Sequence, residues 1–141
     1  MTWKSDTDSY LTFAENDYIW FSEQYEQGVR APGMAALGHG ICEQYLKYII
    51  ESLYPEKNAD SKMQKMRILK SHELSELSDF ICKTIGICIP ENLLERLLAI
   101  SDFYRTTVYP GNQSIVPTDR EIEYVAETVA LTRTFTYRLM H

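Results

Sequence analysis

The sequence lacks the features that define several large classes of protein. No apolar run approaches the roughly 18 residues that a membrane-spanning helix needs, and the N-terminal segment lacks the basic and then apolar pattern of a secretory signal. No segment alternates apolar and polar residues as a strand does, apart from the short run at residues 85–89. We therefore expect a helical, cytoplasmic protein without a membrane span.

Residues that build common catalytic and metal sites are also scarce. The chain has three cysteines and three histidines, which are too few and too scattered for a zinc site, and no two cysteines form a C-x-x-C pair. We expect free thiols, although Cys82 and Cys88 could pair in an oxidising compartment. No phosphate-binding glycine loop, zinc-protease motif, serine-hydrolase motif or metal-binding aspartate pair occurs. The sequence predicts no cofactor and no metal.

What is present is typical of one globular domain spanning residues 1–141. The length suffices for a single core, and the chain is 45% hydrophobic and 24% charged. A net charge of −6 argues against indiscriminate binding of duplex DNA, where many phosphates must be neutralised. A local basic site is still compatible with it: Lys62, Lys65, Arg67 and Lys70 crowd one stretch. Such a run is usually a solvated face or loop.

Apolar residues recur at helical spacing, which predicts an all-α, up-and-down bundle of about five helices. The predicted helices cover about residues 10–27, 32–54, 72–84, 90–105 and 118–140. Ser71 is the expected N-cap of the third, and Thr118 with Glu121 forms a capping box for the last. Residues 56–70 and 106–117 are predicted as loops, the first with at most one short helix.

The second and fourth of these helices each have a predicted inward-facing stripe. The inward stripe of the second is predicted to hold Met34, Leu37, Ile41, Tyr45, Ile49 and Leu53. That of the fourth is predicted to hold Leu94, Leu97, Leu98, Ser101 and Tyr104. Gly38 and Gly40 interrupt the second helix at about 1 kcal/mol each relative to alanine. This cost is understandable where another backbone approaches closely, from a neighbouring helix or from a second copy of the chain.

Glu43 and Lys47 are the first candidate site residues. They lie four apart on the second helix, so an ion pair on one helix face is one interpretation. The other places them at the mouth of a cleft, where Lys47 meets a phosphate that Glu43 orients. Two histidines have open roles as well. His39 either packs at a tight contact or titrates near neutral pH, and His72 suits a local cap or a surface position.

The segment at residues 102–110 is the second candidate, because a helix there ends abruptly at Tyr-Pro-Gly. Tyr104, Arg105 and Tyr109 would place a cation and ring faces at one exposed corner. Such a corner suits an anionic, planar ligand such as a nucleotide or RNA, through charge-assisted contacts and stacking. It suits closure of the end of a bundle equally well.

Three blocks of sequence, in this order, resemble the HEPN (higher eukaryotes and prokaryotes nucleotide-binding) family. Residues 41–47 are similar to its Ala-Val-Glu-x-x-x-Lys element, and residues 71–77 to its His-Asp-Leu-x-x-Leu element. Residues 102–110 resemble its Tyr-x-x-x-Arg-Tyr-Pro element, with Val108 where that signature has its arginine. Asp17 matches an aspartate common on the family's first helix. The resemblance spans roughly residues 10–140.

The resemblance implies a helical bundle that often forms homodimers and is often encoded beside a minimal nucleotidyltransferase, in toxin–antitoxin-like pairs. Ribonuclease members carry Arg-x(4–6)-His. Counting from Arg105 or from Val108, no histidine stands at the required positions, 110–115. The expected function is therefore a non-catalytic module that binds a nucleotide, RNA or a partner. Its expected site residues are Arg105, Tyr104, Tyr109, Glu43, Lys47 and His72.

Two other functions stay open beside this one. The first is a weak or altered metal-independent ribonuclease that uses Arg105 with His72 or His39 from another helix. The second is a purely structural oligomerisation domain.

Overall fold

A computed structural model describes residues 6–108 and 117–141 of the protein, and the side chains of residues 10–101 and 117–141. Within these ranges the chain is all-helical, as predicted. The helices are α1 (Asp6–Glu26), α2 (Gly33–Leu53), α3 (Ala59–Leu69), α4 (Leu74–Asp79), α5 (Glu91–Val108) and α6 (Asp119–Met140). A π-helical turn, Phe80–Ile85, continues α4.

Helix α2 is the centre of the bundle. It packs against every other helix of the described chain, because apolar side chains occupy most of its circumference. Its fully buried residues include Ile41, Tyr45, Leu46, Ile49 and Ile50. No helix in the described ranges is long and apolar enough to cross a bilayer.

Local sequence signals fix most helix ends. Gly28 and Gly86 follow α1 and the π-helical turn with φ of 90° and 86°, a left-handed conformation that favours glycine. The capping box of Thr118 and Glu121 is present at the start of α6, as predicted. Ser71 is not the N-cap of α4, because that helix begins two residues later than expected, after Glu73. The hydroxyl oxygen of Ser71 instead accepts a hydrogen bond from the backbone N–H of Glu73.

The described part of the chain holds six α-helices rather than about five, because the segment expected to be a loop with at most one short helix holds the 11-residue helix α3. Asn58 caps it, since its side chain accepts a hydrogen bond from the backbone N–H of Ser61 at 2.8 Å. Lys65 is its one buried residue. Two methionines of α3, Met63 and Met66, are exposed, and the apolar side chains that the helix packs against the core are the partly buried Ile68 and Leu69 at its end.

The predicted inward position is wrong for two residues of these stripes. Leu53 and Leu98 are exposed, because each lies at the edge of its stripe, beside solvent. Gly38 confirms the close approach of a neighbouring helix: a Cβ there would lie far inside the normal contact distance to Val125 of α6. At Gly40 no neighbouring helix of the same chain approaches closely, since a Cβ there would meet nothing within 4 Å, and approach by a second copy of the chain stays a prediction.

Candidate functional site

A cluster of ionisable side chains lies where α2 meets the segment before α4. Helix α2 supplies His39, Glu43 and Lys47, spaced four residues apart, which places them on one face of the helix. All three are buried in the described structure, and His39 is only 1% exposed. Charged side chains are rarely buried without a partner, so their contacts decide what this cluster can do.

The Glu43 carboxylate holds the cluster together. Its Oε2 accepts a hydrogen bond from Lys47 Nζ at 2.9 Å and lies 3.1 Å from Nδ1 of His72. Its Oε1 lies 4.0 Å from Nδ1 of His39. The ion pair expected between Glu43 and Lys47 is therefore confirmed, and the Lys47 ammonium lies inside the protein against this carboxylate.

His39 is the neutral member of the cluster. Burial lowers its pKa from 6.5 to about 4, and the negative charges of Glu43 and Glu73 oppose this shift without cancelling it. The His39 imidazole is therefore uncharged near neutral pH, and it does not titrate there as one interpretation of the sequence allowed. It is a packed residue of the α2 face.

His72 is the member of the cluster that reaches solvent. It lies on the connection between α3 and α4, and its side chain is 72% exposed while Glu43 beneath it is 9% exposed. An ionised carboxylate can only accept hydrogen bonds, so Nδ1 of His72 is the donor to Glu43. This bond fixes the orientation of the ring and leaves Nε2 for an external partner.

The structure thus brings together three of the six predicted site residues, namely Glu43, Lys47 and His72. Tyr104 and Arg105 fall within α5, but their side chains lie outside the described residues. Tyr109 lies outside the described residues altogether. His39 belongs to the cluster although the predicted site omits it. Its i,i+4 spacing from Glu43 is the sequence signal that identifies it.

A second polar cluster joins α1, α2 and α6 and was not predicted. Arg133 donates two hydrogen bonds to Glu15, from Nε at 2.9 Å and from the second guanidinium nitrogen at 3.1 Å. The hydroxyl of the buried Tyr45 also donates to Glu15. Burial alone would raise the pKa of Glu15, but hydrogen bonds from Arg133, Tyr45 and Tyr137 outweigh it and lower that pKa. Because 118 residues separate Arg133 from Glu15, no local sequence pattern reveals the pair.

The charged groups of this second cluster make their contacts with other members of the same cluster. The Arg133 guanidinium lies between two rings, 4.6 Å from the centroid of Tyr18 and 4.9 Å from that of Tyr137. Cation–π contacts of this kind add to the bidentate ion pair. The Glu15–Arg133 pair therefore connects α1 with α6, and its groups are engaged with one another.

The basic stretch at residues 62–70 divides into two parts. Lys65 is buried, and its ammonium donates to the backbone carbonyls of Glu51 and Tyr54 at 2.9 and 2.8 Å. A cation at the last carbonyls of a helix satisfies them and complements the helix dipole, so Lys65 stabilises the end of α2. Lys62, Arg67 and Lys70 are exposed.

Thiols and metal ligands add no further site in the described part of the chain. All three cysteines are free, as expected. Cys42 is buried against Thr132, and burial raises the pKa of its thiol to about 12, which keeps it protonated and unreactive. Among the described residues, no group of three or more histidine, cysteine or acidic side chains is arranged to hold a metal ion.

Comparison of the chain with protein-family models, with curated proteins and with solved structures finds no match. The resemblance to HEPN domains therefore stays a prediction that rests on the three sequence blocks.

Proposed function

We propose that the protein is a non-catalytic, HEPN-like module that binds the phosphate of a nucleotide or of RNA at His72, above Glu43 and Lys47. In this proposal Arg105 provides a second cation, and Tyr104 and Tyr109 provide ring faces for a stacked base. Glu43 and Lys47 belong to one of the sequence blocks that resemble the family, and His72 belongs to another. The side chains of these two blocks meet in the cluster.

The observation that carries the proposal is the hydrogen bond between exposed His72 and buried Glu43. A histidine held through Nδ1 presents Nε2 in a fixed direction, where a phosphate oxygen can accept a hydrogen bond from an Nε2–H group. Lys47 compensates the negative charge of Glu43, so an approaching anion does not meet a bare carboxylate. Lys47 therefore supports the phosphate site from below, through Glu43.

Binding is tested by fluorescence anisotropy with a labelled single-stranded RNA and by competition with unlabelled nucleotides. His72→Ala and Arg105→Ala should each weaken binding by about tenfold or more, because a hydrogen bond to a charged group contributes about 1.5–3 kcal/mol. His141→Ala and Arg120→Ala are the matched controls, since both residues are exposed on α6 or at its end. Binding should also weaken as salt rises. Identical affinities for all five proteins, or no binding at all, would contradict the proposal.

The Glu43–His72 pair also supports a second candidate, the altered metal-independent ribonuclease. A histidine oriented by a carboxylate is an arrangement that general acid–base catalysis uses, and His72 Nε2 would take the proton from a ribose 2′-hydroxyl. Incubation of labelled RNA with the purified protein and a chelator distinguishes the two functions. Cleavage that is lost in His72→Ala and in Arg105→Ala but kept in His141→Ala would establish the ribonuclease. RNA that is bound and stays intact would establish the non-catalytic module.

Two partners belong to the same proposal because the HEPN resemblance implies them. One is a second copy of the chain, and the other is a minimal nucleotidyltransferase, in a toxin–antitoxin-like pair in the cytoplasm. A nucleotidyltransferase gene beside this one, whose product co-purifies with the protein, would support the pairing. A gene neighbourhood without such an enzyme would count against it.

A further inference from the structure

Helix α3 turns two apolar side chains outward, although Ile68 and Leu69 at its end pack against the core. Its one buried side chain is Lys65, whereas Met63 and Met66 are 61% and 52% exposed. Burying a lysine while two methionines face solvent does not stabilise a single chain through the hydrophobic effect. Methionine adapts to varied partners and is common on binding surfaces. The outward side of α3 therefore has the composition of an interface.

The charge on this side of α3 is mostly positive, and Asp60 in the first turn is its acidic residue. Lys62, Arg67 and Lys70 flank the two methionines on one stripe, at the spacing of neighbouring turns, and no acidic residue interrupts the stripe. We call these five residues the α3 stripe. In a chain with a net charge of −6, a cationic and apolar stripe favours a partner surface that is acidic and apolar.

Helix α1 presents that complementary chemistry. It contains six acidic residues and no basic one, and Phe13 and Trp20 on it are 59% and 53% exposed. Asp17 and Glu23 are exposed as well. These four residues follow one another at i, i+4, i+7 and i+10, so they share the outward side of α1. We call them the α1 stripe.

The two stripes also match in length. The α1 stripe rises about 15 Å from Phe13 to Glu23, and the α3 stripe about 12 Å from Lys62 to Lys70, at 1.5 Å per residue. Within one chain, α1 and α3 are not packed partners, so the two stripes do not cover each other. A second copy supplies both missing surfaces at once.

We propose that two copies of the chain associate with the α1 stripe of each on the α3 stripe of the other. A two-fold axis makes this contact twice, which doubles the buried area toward the roughly 800 Å² per partner of a stable interface. Aromatic rings meet methionines at the centre, and Asp17 and Glu23 meet Lys62, Arg67 and Lys70 at the rim. This inference rests on the second-copy partner of the proposed function, for which it names the interface, and it is separate from nucleotide binding because it uses neither His72 nor Arg105.

A charge-exchange experiment tests this pairing by sedimentation velocity. One variant carries Lys62→Glu and Lys70→Glu, and the other carries Asp17→Lys and Glu23→Lys. Each variant alone should be monomeric, with a dissociation constant raised about a hundredfold or more, because like charges then face each other in both contacts. An equimolar mixture should restore the pair, because both contacts again join opposite charges.

A control variant with Lys83→Glu and Glu95→Lys reverses exposed charges away from both stripes and should associate like the wild type. Met63→Gln with Met66→Gln should weaken association while helical content is kept, since both side chains are exposed. A wild type that stays monomeric at high micromolar concentration would overturn the proposal. The α3 stripe would then be a binding surface for a different, acidic protein. A mixture that stays monomeric, or a mass that grows beyond two chains, would overturn it as well.

Discussion

Gly38 and Gly40 provide a matched pair for testing how α2 packs. Both lie inside α2, so replacement by alanine gains about 1 kcal/mol of helix propensity at either position. A Cβ at Gly40 meets nothing within 4 Å, whereas a Cβ at Gly38 would overlap Val125 Cγ1 and lie 3.4 Å from Val129 Cγ2 and 3.5 Å from Phe21 Cε2. The same substitution should therefore be less favourable at Gly38 than at Gly40, two residues away.

The cost at Gly38 follows from the stiffness of its neighbour. Valine in a helix has one strongly preferred rotamer, so Val125 cannot turn aside, and α2 and α6 must separate. Overpacking of this kind costs typically 1–3 kcal/mol, which offsets or exceeds the gain in propensity. We expect Gly40→Ala to be more stable than the wild type by about 1 kcal/mol. Gly38→Ala should be less stable than Gly40→Ala by about 1–3 kcal/mol.

Urea and thermal unfolding followed by circular dichroism measure the difference, which should amount to several degrees in Tm. Val125→Ala removes the overlapping methyl group, so the double variant with Gly38→Ala should be more stable than the sum of the single effects, by about 0.5–3 kcal/mol. If Gly38→Ala gains as much stability as Gly40→Ala, the close approach of α2 to α6 is wrong.

Three further predictions concern the polar clusters. Lys47→Met should cost about 3–5 kcal/mol because it leaves Glu43 buried without its cation, and adding Glu43→Gln should recover much of that loss in urea unfolding. His39 is neutral when folded, with its pKa lowered to about 4. Its contribution of about 3 kcal/mol is therefore complete above about pH 6.5 and is lost as the pH falls toward 4, and His39→Asn should flatten the stability profile across that window. Arg133→Lys should cost about 1 kcal/mol in thermal unfolding, since lysine cannot make the two parallel bonds to Glu15.

The parts of the fold that could be predicted are those with a local cause. Gly28 and Gly86 end helices because each takes a left-handed backbone conformation, and the capping box at Thr118 depends on a residue three positions away. Helix α3 was expected only as at most one short helix within a loop, because periodicity identifies a helix by its inward apolar stripe. In α3 the buried residue is Lys65, apolar side chains pack against the core at the end of the helix, and the methionines face solvent.

The same distinction separates the two polar clusters. Glu43 and Lys47 are four residues apart, so their pairing follows from helix geometry alone. His72 is 29 residues from Glu43 in sequence, and it entered the predicted site only through the family resemblance. The Glu15–Arg133 pair spans most of the chain and leaves no local trace. Sequence spacing reports contacts within a helix, and contacts between helices require the tertiary structure.

The different burial of these residues decides which variant can report on function. Lys47 and Glu43 compensate each other inside the protein, so a single substitution at either one changes folding stability and ligand binding together. His72 is 72% exposed on its side chain, and its removal leaves Lys47 on Glu43, so the fold should survive it. A loss of binding in His72→Ala at unchanged Tm therefore measures the contribution of that imidazole to the ligand. The same loss of binding in Lys47→Met would show only that the Lys47–Glu43 pair beneath His72 had been broken.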